Sequence, residues 1–487
     1  MILALLLTDP LFILLIGVLI VVGGIIGLRL HPFLALLLGA FVVAMMTPEA
    51  AIEQYALDTG ASVEAARQMS QRSIGERIAL RFGSTTGQIG ILIAMASIIG
   101  KCMLESGAAE RIVRSTLKVT GISKAPLTFL GSSFFLGIPV FFDTVFYLMI
   151  PLAKAMAMRI GKNYLLLVLC VTAGAAMANS LVPPTPGPLF LVSEMQIPIG
   201  MMMIGGFLVG IVTIIVGYFY AVWANRKWPI QLRDSIDAPL KDIQSLGAQA
   251  DAQLPSLWLS LLPILIPLVF ISAEAGLDIF SPSEEAVSQS FLLSLLTEVI
   301  HFLGEKNIAL VAGALVALIL LALQKKGGKE TVVASVQGAL MTGGVIILIT
   351  AAGGAFGGML QQTGISMRIG ALTQDFQMAL LPLAFLITAV VRTAQGSATV
   401  AMITASGILA GMANSTGLEY HQLYIGLAIA CGSKLIPWMN DSGFWIVCKM
   451  SNLTEEEALK TFSPLLTIMG IAGLIVILIA AKLLPLV

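Results

Sequence analysis

The chain has 487 residues, of which 57% are hydrophobic and 11% are charged, and its formal net charge is zero. Soluble globular domains carry about 25% charged residues, so this composition excludes an ordinary soluble domain and predicts a polytopic membrane protein. The neutral charge balance gives no indication of a nucleic-acid partner. The four cysteines lack CxxC spacing and are expected to be small buried thiols: Cys102, Cys170, Cys431 and Cys448.

The apolar segments are numerous enough for ten membrane crossings, since about 20 residues span the hydrocarbon core. The first segment, LFILLIGVLIVVGGIIGL, has no cationic region before it and is interpreted as a retained helix without signal-peptide cleavage. Two further regions, residues 49–87 and 291–307, are predicted to form amphipathic surface helices. The expected crossings lie near residues 10–29, 33–48, 88–104, 164–195, 200–225, 256–273, 307–324, 331–360, 421–450 and 463–487.

Two apolar stretches, residues 126–157 and 378–413, have a different pattern. Each consists of two arms of about 11 to 16 residues around a polar centre, GIPVFFDT in the first and RTAQGSAT in the second. Such arms are too short to cross a hydrocarbon core about 30 Å thick. They predict two re-entrant helical hairpins whose tips stop at mid-depth.

Two of the expected crossings are interrupted by proline and polar residues. The sequences are ANSLVPPTPGP at 178–188 and GSKLIPWMNDSG at 432–443. A bare peptide group in lipid costs about 2–7 kcal/mol, so broken helices are tolerated where they line a cavity. The breaks therefore predict a solute site, and the positive ends of the half-helices favour an anionic solute.

The chain repeats this order of elements. Gly100, Met103, Gly107 and Ile112 match Gly357, Leu360, Gly364 and Ile369 at a constant offset of 257 residues, since 357 minus 100 is 257. The predicted fold is therefore an all-α polytopic membrane protein with two inverted-topology repeats. They comprise residues 1–225 and 256–487, and a cytoplasmic linker, 226–255, joins them.

Charge asymmetry predicts the orientation. One Lys or Arg, Arg368, flanks the second hairpin, whereas seven flank the first, so the first enters from the cytoplasm and both termini are external. We accordingly expect Lys118 and Lys162 inside and Glu284 and Asp375 outside. The seven are Arg111, Arg114, Lys118, Lys124, Lys154, Arg159 and Lys162.

Four stretches, GIPVFFDTVFYLMIPL, NSLVPPTPGP, TAQGSATVA and KLIPWMNDSGFW, resemble signatures of the gluconate permease family within the ion transporter superfamily. The resemblance covers essentially the whole chain. It implies proton-coupled uptake of a small hydroxylated monocarboxylate across the bacterial inner membrane by a homodimer with an elevator mechanism. The candidate substrates within this class are gluconate, another aldonate, glycerate, threonate and D-serine. One departure is Asn179, where many members of the family have His.

Three other classes of membrane protein fit the sequence less well than a carrier does. A channel would need rings of repeated subunits, and an ATP-driven pump would need the GxxxxGK[ST] phosphate loop, which does not occur. An intramembrane enzyme lacks an HExxH motif, and the three histidines lie far apart in sequence. No cofactor or resident metal is expected. Sodium remains an alternative to the proton as coupling ion.

The candidate residues occupy the hairpin tips and the breaks. Arg392 is predicted to hold the substrate carboxylate, with outward snorkelling as the alternative. Asp143 is predicted to carry the proton, with helix capping as the alternative, and Asp441 is the second candidate. For Lys434, one interpretation is an ion pair with Asp441. Arg392 alone would then hold the anion. The predicted substrate-binding set is Pro139, Thr144, Asn179, Ser180, Thr185, Arg392, Thr393, Gln395, Gly396, Ser397, Thr399, Asn440 and Ser442.

Two other features receive structural interpretations. His421 is interpreted as a loop or interface residue rather than a proton relay. The glycine run GGAFGG at 353–358 predicts close helix packing, since small residues let helix backbones approach in a membrane.

Overall fold

The computed structural model describes residues 8–234, 254–279, 291–324, 328–365, 377–413, 418–439 and 441–486. The regular structure in these residues is helical. Within these ranges seven helices are long and apolar enough to cross a membrane, or eight if the pair Pro32–Met46 and Glu49–Asp58, bent by 101°, counts as one span. The chain is thus a multi-pass helical membrane protein, as its composition predicts.

The first half of the chain contains eleven helices within residues 8–234. In order they are α1 Pro10–Ile26, α2 Pro32–Met46, α3 Glu49–Asp58, α4 Val63–Gln71, α5 Ile74–Glu105, α6 Ala108–Thr120, α7 Ala125–Leu136, α8 Phe142–Ile160, α9 Tyr164–Leu181, α10 Pro186–Glu194 and α11 Ile199–Lys227.

The described part of the second half contains nine helices. They are α12 Leu257–Ile279, α13 Phe291–Gly304, α14 Lys306–Gln324, α15 Gly328–Gln361, α16 Leu380–Gln395, α17 Ala398–Ala413, α18 Leu423–Gly432, α19 Ser442–Ser451 and α20 Glu455–Leu483. Most of the expected linker, residues 235–253, lies outside the described residues, as do Glu284, Arg368, Ile369 and Asp375.

The predicted hairpins and breaks correspond to separate short helices. Helices α7 and α8 flank a tip at residues 137–141, and α16 and α17 flank a tip at Gly396 and Ser397. Gly396 has φ +84°, which favours glycine at this turn. Residues 182–185 separate α9 from α10, and residues 433–441 separate α18 from α19. The order hairpin, broken helix, long helix therefore occurs in both halves.

Several boundaries differ from the sequence prediction. Helix α5 begins at Ile74, so the predicted surface region 49–87 ends after α4, and its last residues start a spanning helix. Two arginines at the start of α5 contact amides at the C-terminal end of α15: Arg77 Nη1 donates to Gln362 Oε1 at 2.7 Å and Arg81 Nη2 donates to Gln361 Oε1 at 2.6 Å. Helix α6 has no counterpart among the predicted elements.

Two other segments depart from the expected lengths. The second arm of the first hairpin, α8, is longer than predicted, with 19 residues including Pro151. The predicted crossing 10–29 is shorter in the structure, where it forms the 17-residue helix α1. Residues 421–450 form two ten-residue helices, α18 and α19.

The core is formed where α15 packs against α5, α2 and α17, and where α9 packs against α7 and α11. The predicted close packing of the glycine run is confirmed on α15. A Cβ on Gly357 would lie 2.6 Å from the Cα atom of Gly407 on α17, so a side chain here would push the two backbones apart. The predicted burial of the four cysteines is confirmed as well.

Candidate functional site

A cavity of about 280 Å³ lies where both hairpin tips and both helix breaks meet. Four helix N-termini contribute to its lining, those of α8, α10, α17 and α19. The tips and breaks, which are far apart in sequence, are therefore brought to one place. From the tips and breaks the lining includes Phe141, Phe142, Asp143, Asn179, Pro186, Arg392, Ser397, Ala398, Thr399, Lys434, Asp441, Ser442 and Gly443.

The first hairpin tip places Asp143 in the first turn of α8, with its side chain exposed. Its Oδ1 atom accepts a hydrogen bond from the Thr144 backbone N–H at 3.0 Å. Asp143 is not the N-cap residue of α8, since that position is occupied by Phe141 and no side chain caps this helix. The capping alternative for Asp143 is therefore wrong, and its exposed carboxyl group lies in the cavity lining.

Arg392 is 3% exposed and ties the second tip to the second break. Its Nε atom donates to the Ser433 carbonyl at 3.0 Å, Nη1 donates to the Gly396 carbonyl, and Nη2 forms an ion pair with Asp441 Oδ2. The predicted alternative in which Asp441 pairs with Lys434 is therefore replaced by an Arg392–Asp441 pair. Snorkelling of Arg392 is also wrong, because the guanidinium points inward.

Asp441 has a second structural role. It is the N-cap residue of α19, and its Oδ1 atom accepts the Gly443 N–H at 2.8 Å. One carboxylate thus caps a helix and pairs with a buried cation. Both carboxylate oxygens of Asp441 therefore have partners within the protein, one on Arg392 and one on Gly443.

The first break contributes an amide. Asn179 lines the cavity, and its Nδ2 atom is buried without a hydrogen-bond partner among the described residues. Thr185 holds the break closed, since its hydroxyl donates to the Asn179 carbonyl at 2.7 Å and the Val182 carbonyl at 3.1 Å. Asn179 therefore offers a donor to a solute, whereas Thr185 stabilises the backbone.

Four further predicted residues of the described chain, Pro139, Ser180, Thr393 and Gly396, do not line this cavity. Pro139 lies beside a narrow apolar gap, and Ser180 is fully buried with its Oγ unpartnered in the described chain. The Thr393 carbonyl accepts the Trp438 Nε1–H at 2.8 Å, and the Gly396 carbonyl accepts from Arg392. Asn440 and the side chain of Gln395 lie outside the described residues.

Thr144 lines a second cavity of about 140 Å³ beside Lys101, Ser97 and Thr342. Phe141 and Thr342 belong to the linings of both cavities, so the two adjoin at the first hairpin tip. His421 precedes α18 and lines neither cavity. Its backbone N–H donates to the Pro485 carbonyl at 2.8 Å, which agrees with its interpretation as a loop residue.

The sequence analysis missed the contribution of helix α15. Thr342, Ile346, Ile349 and Thr350 line the cavity. Threonines eight residues apart on an apolar helix lie on one face, so this spacing could have identified them. Their hydroxyls donate to carbonyls of their own helix, Thr342 to Gly338 at 3.3 Å and Thr350 to Ile346 at 2.7 Å. Their oxygens can still accept hydrogen bonds.

Comparison with known proteins identifies the family. The family model of the GntP family permeases matches residues 57–484. The chain belongs to the GntP permease family. It is 30% identical to the low-affinity gluconate transporter of Escherichia coli (strain K12) over 404 residues, which cover 82% of this chain and 87% of that protein. It is 29% identical to the gluconate permease of Zymomonas mobilis over 395 residues, 81% and 84% of the two chains.

Solved structures show the same fold. The Alcanivorax borkumensis YdaH transporter superimposes on this GntP-family chain with a TM-score of 0.62 at 14% identity, covering 94% of this chain and 100% of that one. At this identity the likeness concerns the fold alone. The family places the chain among membrane permeases rather than enzymes.

Proposed function

We propose that this permease is a proton-coupled symporter that imports a small hydroxylated monocarboxylate, gluconate or a related aldonate. The observation that carries the proposal is the convergence of four helix N-termini and two cationic side chains on one cavity. Helix N-termini carry a partial positive charge and, except at Pro186 and Pro188 of α10, backbone N–H groups, and both features favour an anion. Relatives named gluconate permeases support the substrate class.

The hydroxyl groups of such a substrate have complementary partners in the cavity. The Asn179 amide and the hydroxyls of Ser397, Thr399 and Ser442 lie in its lining. A buried site built to hydrogen-bond several hydroxyls discriminates against analogues that lack them, because its polar groups are then left unpaired. Glycerate, threonate and D-serine are the alternative substrates within this class.

Charge balance supports proton coupling. The charged side chains in the described cavity lining are two positive, Arg392 and Lys434, and two negative, Asp143 and Asp441. A bound carboxylate adds one negative charge in a site of low dielectric, where net charge is costly. Protonation of Asp143 restores neutrality. Sodium binding would achieve the same balance and is the alternative coupling ion.

The transport cycle that we propose is an elevator motion within a homodimer. The two hairpins and two broken helices would move together against the long helices of two inverted repeats, with both termini outside. Cysteine labelling tests the orientation at Lys118, Lys162, Glu284 and Asp375. A cytoplasmic Asp375 would rule out the inverted arrangement.

The experiment for coupling uses the purified protein in liposomes with radiolabelled gluconate. An inward-directed proton gradient should drive accumulation, and an uncoupler should abolish it. Asp143→Asn should lose gradient-driven accumulation but keep counterflow exchange, which needs no net proton movement. If accumulation follows a sodium gradient instead, sodium rather than the proton is the coupling ion. A flux that does not saturate with substrate concentration would indicate a channel.

A further inference from the structure

The two cations of the cavity have different surroundings. Arg392 uses all three of its nitrogen atoms in contacts with Ser433, Gly396 and Asp441. Its charge is compensated by a carboxylate of the protein itself. A buried cation that already has an internal counter-ion gains less from a second anion than an uncompensated cation does.

Lys434 forms no direct ion pair with a carboxylate of the described residues, and Asp441 attracts its charge only from beyond salt-bridge distance. Lys434 is 5% exposed and lines the cavity, yet none of the carboxylates in the described residues lies within salt-bridge distance of its ammonium group. A buried ammonium without a partner is costly, so an anion that enters the cavity gains the interaction that the protein leaves open.

The fold holds Lys434 rigidly at this place. Its backbone N–H donates to the Cys431 carbonyl at 3.1 Å in the turn that follows α18. Gly470 of α20 makes room for the lysine stem, since a Cβ on Gly470 would lie 3.4 Å from Lys434 Cβ and 2.8 Å from the Cys431 carbonyl oxygen. The backbone and the Cβ atom of Lys434 are therefore positioned by two elements, the second break and α20.

We propose that Lys434 binds the substrate carboxylate and that Arg392 is a positioning residue, which fixes the second hairpin tip against the second break. This assignment rests on the proposed function, because it presupposes a carboxylate substrate. It differs from the sequence prediction, in which Arg392 holds the substrate charge.

The test compares the binding of gluconate and of gluconamide, its neutral amide, to purified full-length protein in detergent. Lys434→Gln should weaken gluconate binding at least about 30-fold, which corresponds to about 2 kcal/mol for a lost buried charge contact. Gluconamide binding should change by less than about threefold. Lys434→Arg should restore most of the gluconate affinity, because it keeps the charge.

Two further variants separate charge recognition from folding. Lys460→Gln is the matched control, since Lys460 is half-exposed and pairs with Glu456 on the surface, and it should bind gluconate as the parent does. Arg392→Gln should lower the melting temperature without ligand, whereas Lys434→Gln should leave it near the parent value or above it.

The outcomes distinguish this assignment from the proposed function. Equal losses of gluconate and gluconamide binding in Lys434→Gln would show a structural role and overturn the assignment, as would unchanged gluconate affinity. If the parent protein binds none of gluconate, glycerate, threonate and D-serine, the proposed function itself fails, and the assignment fails with it.

Discussion

The two helix breaks differ in length, burial and charge. The first, residues 182–185, has four residues that are all buried and uncharged. The second, residues 433–441, has nine residues, includes Lys434 and Asp441, and exposes Ile436 by 51%. The first break therefore provides a fixed shape and the nearby Asn179 amide, whereas the second provides the charges. In the function proposed above, the amide beside the first break would serve the hydroxyl groups of the substrate, and the charges of the second break would serve its carboxylate.

The largest effect is expected at the charged break. Asp441→Ala removes the partner of Arg392 and the cap of α19, and an uncompensated buried charge costs about 3–5 kcal/mol. We expect a strong fall in melting temperature and in yield of folded protein, measured by thermal unfolding in detergent. Glu456→Ala is the control, because its pair with Lys460 is exposed and contributes little. A melting temperature unchanged in Asp441→Ala would show that the pair is dispensable.

The uncharged break is tested through its packing. A Cβ on Gly206 of α11 would lie 2.0 Å from the Leu181 carbonyl oxygen, immediately before the break. Gly206→Ala should therefore destabilise the fold by about 1–3 kcal/mol, as overpacking does. Gly131→Ala is the matched control in a helix, since nothing lies within 4 Å of its Cβ. Equal melting temperatures for the two variants would mean that the structure around the first break accommodates the added methyl group without loss of stability.

A smaller effect is expected when the amide beside the first break is removed. Asn179→Ala should weaken gluconate binding about fivefold, the loss of one net hydrogen bond of about 1 kcal/mol. Asn179→Asp should weaken it further, because it adds a negative charge to a site that receives an anion. Isothermal titration measures both. Stronger binding of gluconate to Asn179→Asp than to Asn179→Ala would contradict the division of roles between the breaks.

The smallest effect is expected from a hydrogen bond at the rim of the second break. Trp438→Phe removes the Nε1–H that donates to the Thr393 carbonyl and keeps an aromatic ring. The expected loss of stability is about 0.5–1.5 kcal/mol, with gluconate affinity unchanged. Thermal unfolding and binding of the same sample check both. A marked loss of affinity would show that this rim contact positions the charged residues.

Much of the fold could be predicted because spanning helices and their interruptions have strong local signals. The apolar run at 200–225 and the proline cluster at 182–186 identify α11 and the first break directly. The start of α5 could not be predicted in this way. Its Arg77 and Arg81 resemble surface residues in sequence, and their partners Gln361, Gln362 and the Ala44 carbonyl lie far away along the chain.

The location of the site could be predicted from the sequence, but the ion pairs between its charged residues could not. Polar residues at tips and breaks identify the cavity, since irregular backbone at membrane depth lines cavities. The pair between Arg392 and Asp441 joins residues 49 apart in sequence, and Lys434 lies closer to Asp441 along the chain. Sequence proximity therefore favoured the wrong partner. Tertiary packing of the tip against the break determines which cation is left without one.

Phe141 lies in the linings of both the 280 Å³ cavity and the 140 Å³ cavity beside Lys101. Thr342 of α15 lies in both linings as well, so the two chambers share one wall residue from the first hairpin tip and one from a long helix. A displacement of the tip relative to α15 would therefore change the size of both chambers together.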